Sequence, residues 1–463
     1  MEKPDPSSLE SSLWPSMPDV SDPYAFDIGH YSRLLKENSK RLFVQDDQLW
    51  IKVIEIGERD KVFRSTLEFD NYLRSSAFKG TRIILIPQRF SWDNLLISES
   101  GLRIILSHFR IFPALLDVVN AFGAQTSSES DSISTSHSYT RANISECCYI
   151  TKHVENHGRE DSDDPWSIRQ MGVYHQRNAW DDTNTFVIFN PSITFQQRFK
   201  DAQAASGRLP TWRDIHTLAA SCSTTPWRRY IGHMEYELAQ LKTKAHLSAV
   251  ADSDGLNSKP KLKIEFEDTQ NIEVIHDKLH KVNHILVSNL NVFKLLSSMM
   301  SYVGGVQDQF ESGLNRLAFC TDETEMQHRR VNTLFQRINA ASCLMQNIID
   351  FRGLEALKTS SAMSTKLSQL AQKNAEKSQK DARTITTITI LGMIFLPASF
   401  VSQFLSMGYI ELDTHNHVSL KIAGGMWIFG IMTLFLLIVT LGSWLWLELR
   451  ARRPQRIGDC EAN

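Results

Sequence analysis

A chain of 463 residues, 42% hydrophobic and 22% charged, has the composition of a folded protein with room for more than one domain, which excludes wholesale disorder. A formal net charge of -2 gives no case for a general nucleic-acid binder, so no nucleic-acid partner is expected. Cys147, Cys148, Cys222, Cys320, Cys343 and Cys460 form no C-x-x-C pair and no zinc-type spacing, and read as reduced thiols.

The first stretch, MEKPDPSSLESSLWPSMPDVSDPY, is rich in Pro, Ser and acid and has no apolar h-region. Neither a signal peptide nor an Arg-rich transit peptide is expected there, and residues 1–28 read as a disordered tail. Residues 29–248 then read as an α/β domain. RLFVQ (41–45), LWIKVIEI (49–56), TRIILIP (81–87) and TFVIFNP (185–191) are β-branched or aromatic runs of strand length. LEFDNYLRSSAF and GLRIILSHFRIFPALLDVVNAFG carry apolar residues at three- and four-residue spacing, as helices laid on a sheet would, and Gly123 suits the end of the second. TSSESDSISTSHS (126–138) is a Ser-rich loop, and AVADSDGLNSKPK (249–261) is a second, which marks the domain boundary.

Residues 262–383 are dominated by helix formers and read as a stalk. Val331, Leu334, Phe335, Ile338, Met345 and Ile348 fall near one stripe, and the more polar KLSQLAQKNAEKSQKDAR leads on from it. Unbroken from Glu323 to Phe404, such a helix would extend on the order of 120 Å at 1.5 Å per residue. Its apolar stripe needs neighbours, either residues 263–303 folded back or other copies of the chain, so a homo-oligomer is expected.

Residues 384–447 hold two uncharged runs, 384–410 and 422–447, each long enough to cross a bilayer, with spans at about 384–407 and 423–447. Trp427, Trp444 and Trp446 stand near the ends of the second, as interfacial anchors do. Lys373, Lys377, Lys380 and Arg383 precede the first span and Arg450, Arg452, Arg453 and Arg456 follow the second, whereas the connector offers only Lys421 against Glu411 and Asp413. The excess of Lys and Arg puts both termini, including the basic tail 448–463, in the cytosol and the connector outside. The lipid bilayer is therefore a partner; the sequence does not name which membrane.

The order of these parts, together with MIFLPASFVSQFLSMG (393–408), resembles the CorA-type divalent-cation transporters, and DPWSIRQMGVYHQ (164–176) and PWRRYIGHMEYEL (226–238) are similar to segments of their divergent eukaryotic members. The resemblance implies a CorA-like fold, an α/β cytosolic domain with long stalk helices and a two-helix transmembrane hairpin. It also implies a homopentamer, with the first span lining a pore and the second facing lipid. Read as a helix at about 100° per residue, the first span brings Thr389, Gly392, Ser399, Gln403 and Ser406 within roughly 100° of one another. A ring of such oxygens suits hydrated magnesium, which sheds water reluctantly. Small and hydroxylated residues also serve helix packing or bond back to their own turn, and both readings stand. Pro397 is expected to bend the helix.

Members of the family carry Gly-Met-Asn at the mouth of the pore; here the triplet is Ser406-Met407-Gly408. Gly408 has no side-chain oxygen, so the family's entrance site does not transfer to it. Ser406, Gln403, Glu411 and Asp413 are the candidates to replace it. His415 with His417, and the acids Glu160, Asp161, Asp163 and Asp164, have spacings more usual in solvated loops than in metal sites, and no metal ligand set is assigned. Walker, G-x-G-x-x-G, G-x-S-x-G and H-E-x-x-H motifs are absent from the sequence, so neither enzyme nor cofactor is expected, beyond transported or regulatory Mg2+. The Asn143-Ile144-Ser145 sequon lies on the cytosolic side of this topology. Two functions remain: a channel passing a divalent cation, or a non-conducting, membrane-anchored oligomeric scaffold or signalling protein derived from one.

Overall fold

The computed structural model describes residues 14, 27–76, 78–124, 134–158, 164–205, 210–248, 263–302, 307–406, 412–413, 419–420 and 426–451. It divides into two compact units, Met1–Arg352 and Gly353–Asn463. Within the expected tail 1–28, Trp14 is buried, its amide donating to Ser107 Oγ at 2.6 Å and its carbonyl accepting from Arg103 at 2.6 Å, and a helix already starts at Ile28, which departs from the expectation of disorder there. Residues 1–13 and 15–26, most of both loops and most of the basic tail lie outside the described residues.

In chain order the first unit holds helix α1 (Ile28–Leu42), strands β1 (Ile51–Glu55) and β2 (Lys61–Phe63), α2 (Thr66–Ser75), β3 (Thr81–Ile86), α3 (Glu99–His108) and α4 (Leu115–Asn120). Strands β4 (Ser136–Arg141), β5 (Ile144–Asn156), β6 (Trp166–Asn178) and β7 (Thr183–Phe189) follow, then α5 (Ile193–Ala205), α6 (Trp212–Thr224), α7 (Trp227–Leu247) and α8 (Phe266–Tyr302). Helix α9 runs Gln307–Leu405.

The strands form one seven-stranded sheet in the order β2-β1-β3-β7-β6-β5-β4, parallel between β3 and β7 and antiparallel elsewhere. Its inner strands bury residues on both faces, as a sheet covered on both sides requires, whereas the edge strands β2 and β4 are more polar. Ile84, Ile86, Val187, Phe189, Cys148, Ile150 and Tyr174 pack with α1 to α4, whereas Ile83, Leu85, Phe186, Ile188, Cys147, Tyr149 and Val173 pack with α5, α6, α8 and the start of α9. The fold of this unit is a three-layer α/β/α sandwich. A further apolar cluster joins α7, α8 and the Val331–Ile348 stretch of α9, so the stripe read along the stalk finds its cover there.

Two positions show how closely the layers approach. A Cβ on Gly172 of β6 would sit 2.7 Å from Val118 Cγ1 and 2.9 Å from Phe122 Cε2, so helix α4 lies almost on the strand. Gly123, with φ +96°, ends that helical segment, and a Cβ there would stand 2.5 Å from the Arg41 carbonyl oxygen. The Arg41 guanidinium in turn donates to the carbonyls of Phe122 and Asn120, supplying donors that the end of α4 lacks. A third device joins α8 to the sheet. Strand β4 stops opposite Tyr149, and beyond it Asn289 of α8 accepts from the Lys152 amide at 3.1 Å and donates to its carbonyl at 2.8 Å, in place of the missing strand.

Three local expectations change. RLFVQ is not a strand: Arg41 and Leu42 close α1, and Phe43 makes a single bridge to Leu95, because Leu35 and Leu42 on one helical face bury together. The 101–123 helix is two, interrupted by Arg110 at φ 49° and by Pro113, which has no amide to continue it. The Ser-rich segment 126–138 ends inside β4, which starts at Ser136.

In the second unit, the described residues comprise α9 from Gly353 on, the short strands β8 (Leu412–Asp413) and β9 (Ser419–Leu420), which pair antiparallel, and α10 (Met426–Ala451). Both helices carry a stretch long and apolar enough to cross a membrane. Ile388, Leu391, Phe395, Leu396 and Phe400 on α9 and Trp427, Ile431, Phe435, Ile438 and Trp446 on α10 are all exposed. Apolar exposure on that scale is costly in water and ordinary in lipid.

Candidate functional site

The apolar end of α9 has two sides. Ile390, Met393, Pro397 and Val401 are covered or half-covered; on a helix of about 100° per residue they share an arc of roughly 80°. Thr389, Ser399, Gln403 and Ser406 are exposed and Gly392 half-buried; their arc is centred roughly 130° from the covered one. On α10 the half-covered residues Thr433, Leu436, Leu437, Thr440, Leu441 and Trp444 also recur at three- and one-residue steps along one stripe. Each helix of the hairpin thus has one covered apolar-rich face, and α9 leaves its polar face open. Leu396 falls inside the same open arc, between Gly392 and Ser399, an apolar step in the polar row that the sequence reading passed over.

Two hydroxyls of this row are already engaged as donors. Thr389 Oγ1 donates to the Ile385 carbonyl at 2.8 Å and Ser399 Oγ to the Leu396 carbonyl at 3.0 Å, the back-bonding usual for apolar helices. Thr384, Thr386 and Thr387 do the same one turn earlier. With the proton spent, each hydroxyl still offers lone pairs as an acceptor. The water shell of a hydrated cation presents donors outward, so acceptors are what it needs. Pro397 lies inside the helix and has no amide for the Met393 carbonyl. Ser406 closes the helix through its amide, which donates to the Ser402 carbonyl at 3.0 Å. Asp413 belongs to β8, opposite Ser419. Met407, Gly408, Glu411, His415, Asn416 and His417 lie outside the described residues, as do Glu160, Asp161 and Asp163. Asp164, next to that acidic run, pairs with Lys278 of α8 at 2.6 Å.

The first unit holds a polar chain that the sequence did not suggest. Tyr149 of β5 bonds His216 Nδ1 of α6 at 2.7 Å, His216 Nε2 meets His175 Nδ1 of β6 at 3.0 Å, and His175 Nε2 meets the Asn184 Oδ1 of β7 at 3.1 Å. All four residues are buried. One assignment satisfies every partner: the Tyr149 hydroxyl donates to His216, His216 donates to His175, and His175 donates to Asn184. Both imidazoles are then neutral, and burial enforces this, pulling the pKa of His175 down to about 3 and that of His216 well below its ordinary value. The Cys147 Sγ lies within 4.8 Å of ligand atoms of both histidines, but burial pushes its thiol far up and their nitrogens are engaged in the chain. The cluster is a satisfied polar seam between sheet and helix.

Compared with known families, residues 7–246 match the model of the CorA-like transporters. No curated protein matches the sequence. Among solved structures, the complete CorA magnesium transporter of Methanocaldococcus jannaschii is 10% identical, with a TM-score of 0.39 over 85% of this chain and 96% of that one. The soluble domain of CorA from the same organism is 12% identical, with a TM-score of 0.40 over 64% of this chain and 97% of that one. The cytoplasmic domain of ZntB from Vibrio parahaemolyticus is 10% identical, with a TM-score of 0.36 over 63% of this chain and 97% of that one.

Proposed function

The chain belongs to the CorA-like transporters, and on that premise we propose that it is an integral membrane channel that passes a divalent cation, magnesium first among candidates. The pore is lined by the 384–407 span. Thr389, Ser399, Gln403 and Ser406 accept from the ion's hydration water, Gly392 lines the same face and leaves room for it, Leu396 is an apolar constriction between them, and Ser406 and Gln403 take the place of the family's mouth Asn. Residues 29–248 and the stalk 262–383 are cytosolic, as are both termini, and the 423–447 span faces lipid. The observation that carries this reading is the open polar face of α9 set away from its covered face, since a pore helix needs one side for its neighbours and one for the ion.

Several copies are required to close such a pore, and a homopentamer is the family expectation. Met363, Leu367 and Leu370, exposed on the α9 segment that precedes the span, offer an i, i+4, i+7 seam for that assembly. The change of the mouth triplet to Ser406-Met407-Gly408 favours a second reading, in which the same oligomer anchors a cytosolic scaffold and conducts nothing.

Substitution of Gln403 or Ser399 by Leu in protein reconstituted into vesicles separates the two. The pore reading expects cation flux to fall to that of empty vesicles, while Leu391→Val, on another face of the helix, leaves it unchanged. Flux that survives both Leu substitutions removes the stripe from the pore.

A further inference from the structure

Helix α8 presents His276 and His280 one turn apart, at the i, i+4 spacing that puts two side chains on the same helical face. Their Nε2 atoms stand 3.3 Å from each other. That is long for a hydrogen bond between imidazoles. It is close to the separation of about 3.4 Å that two ligand nitrogens take around a tetrahedral ion with bonds of about 2.1 Å. The rings are held in place from the neighbouring helix: Phe335 of α9 lies 4.4 Å from the His280 ring and 5.6 Å from the His276 ring, centroid to centroid. His280 is exposed and His276 half-buried, so an ion reaches the pair from solvent.

The surrounding groups complete the case. His276 Nδ1 is buried without a hydrogen-bond partner, and the Glu273 carboxylate stands 3.8 Å from it. An ion held by both Nε2 atoms fixes His276 as the tautomer with its proton on Nδ1, aimed at that carboxylate, and gives the orphaned atom a role. Ligand atoms of Glu273, His276 and Asp277 all lie within 4.8 Å of one another, so the acids gather behind His276, where they orient its ring and add negative charge beside the pair.

We infer that His276 and His280, with Glu273 orienting His276 through its Nδ1, form a two-imidazole surface site for a borderline divalent transition cation such as Zn2+ or Cu2+. Imidazole suits those ions, whereas magnesium takes oxygen ligands, so this site is chemically distinct from the proposed conduction path and does not depend on it. The buried Cys147, His175 and His216 group competes poorly for the same ion, because its nitrogens already satisfy one another.

The test is Cu2+ titration of the full-length protein in detergent, read by electron spin-echo modulation, which counts coordinated imidazoles. The expected result is a two-imidazole signal that Zn2+ displaces and Mg2+ does not, and that is lost in the His276→Gln/His280→Gln double variant. Glu273→Gln should weaken binding roughly tenfold, the usual effect of removing the partner that orients a ligand histidine. A two-imidazole signal that persists in the double variant, or is missing from the native protein, overturns the site. Affinity unchanged in Glu273→Gln removes the carboxylate from it.

Discussion

At the scale of single residues, the polar seam of Tyr149, His216, His175 and Asn184 makes acid sensitivity a property of the sandwich. Burial depresses the pKa of His175 from 6.5 to about 3, so the folded state resists protons that the unfolded chain accepts. The stabilisation is complete above about pH 6.5 and is lost as pH falls toward 3, on the order of 5 kcal/mol for this histidine alone. A denaturation midpoint measured from pH 7 to pH 4 should therefore drop, and His175→Gln should flatten that slope; equal slopes would refute the seam as its source. A packing test stands at Gly172. Valine there meets Val118 and Phe122 and should cost about 1–3 kcal/mol, read as a lowered midpoint with an unchanged denaturant slope. None of the four seam residues announced itself in the sequence. They are spread between positions 149 and 216, and pairing across a sheet and onto a helix is set by topology, which periodicity does not report. The His276, His280 spacing did lie open to a helical reading, and only the distance between the two nitrogens turns it into a candidate.

At the scale of elements, what was legible followed how uniformly a segment is buried. β1, β3 and β7 are central and covered on both faces, so their sequences are near-continuous apolar runs, and all three were placed within a few residues. The long hairpin of β5 and β6 was missed as a pair of strands, because its buried positions include Thr151, Lys152, His153 and His175 among the apolar ones. RLFVQ failed for the opposite reason: its β-branched and aromatic character was overridden by the face that α1 buries. The two long apolar helices were legible, since length and apolarity are all that such a segment needs to show in the sequence. The α9 segment before the first span carries its own prediction. Asp at Leu367 and Leu370 should shift the detergent-solubilised protein to smaller species by light scattering, and an unchanged mass would exclude that seam from the assembly.

For the whole molecule, an α/β/α sandwich, a long helix and a two-helix apolar hairpin are what the family membership leads one to expect, and the described residues hold each of these parts. The departure is local, at Ser406-Met407-Gly408, where the sequence removes the side-chain oxygen that the resemblance implies at the mouth. On the proposed pore reading, the remaining acceptors along the open face of α9 do that work with hydroxyl and amide oxygens alone, which favours a hydrated ion over a stripped one. The most direct test is magnesium uptake by purified protein in liposomes under an inward gradient, with the oligomer verified in the same preparation. This account predicts uptake well above that of empty vesicles; uptake no greater than theirs, with the oligomer intact, would contradict it.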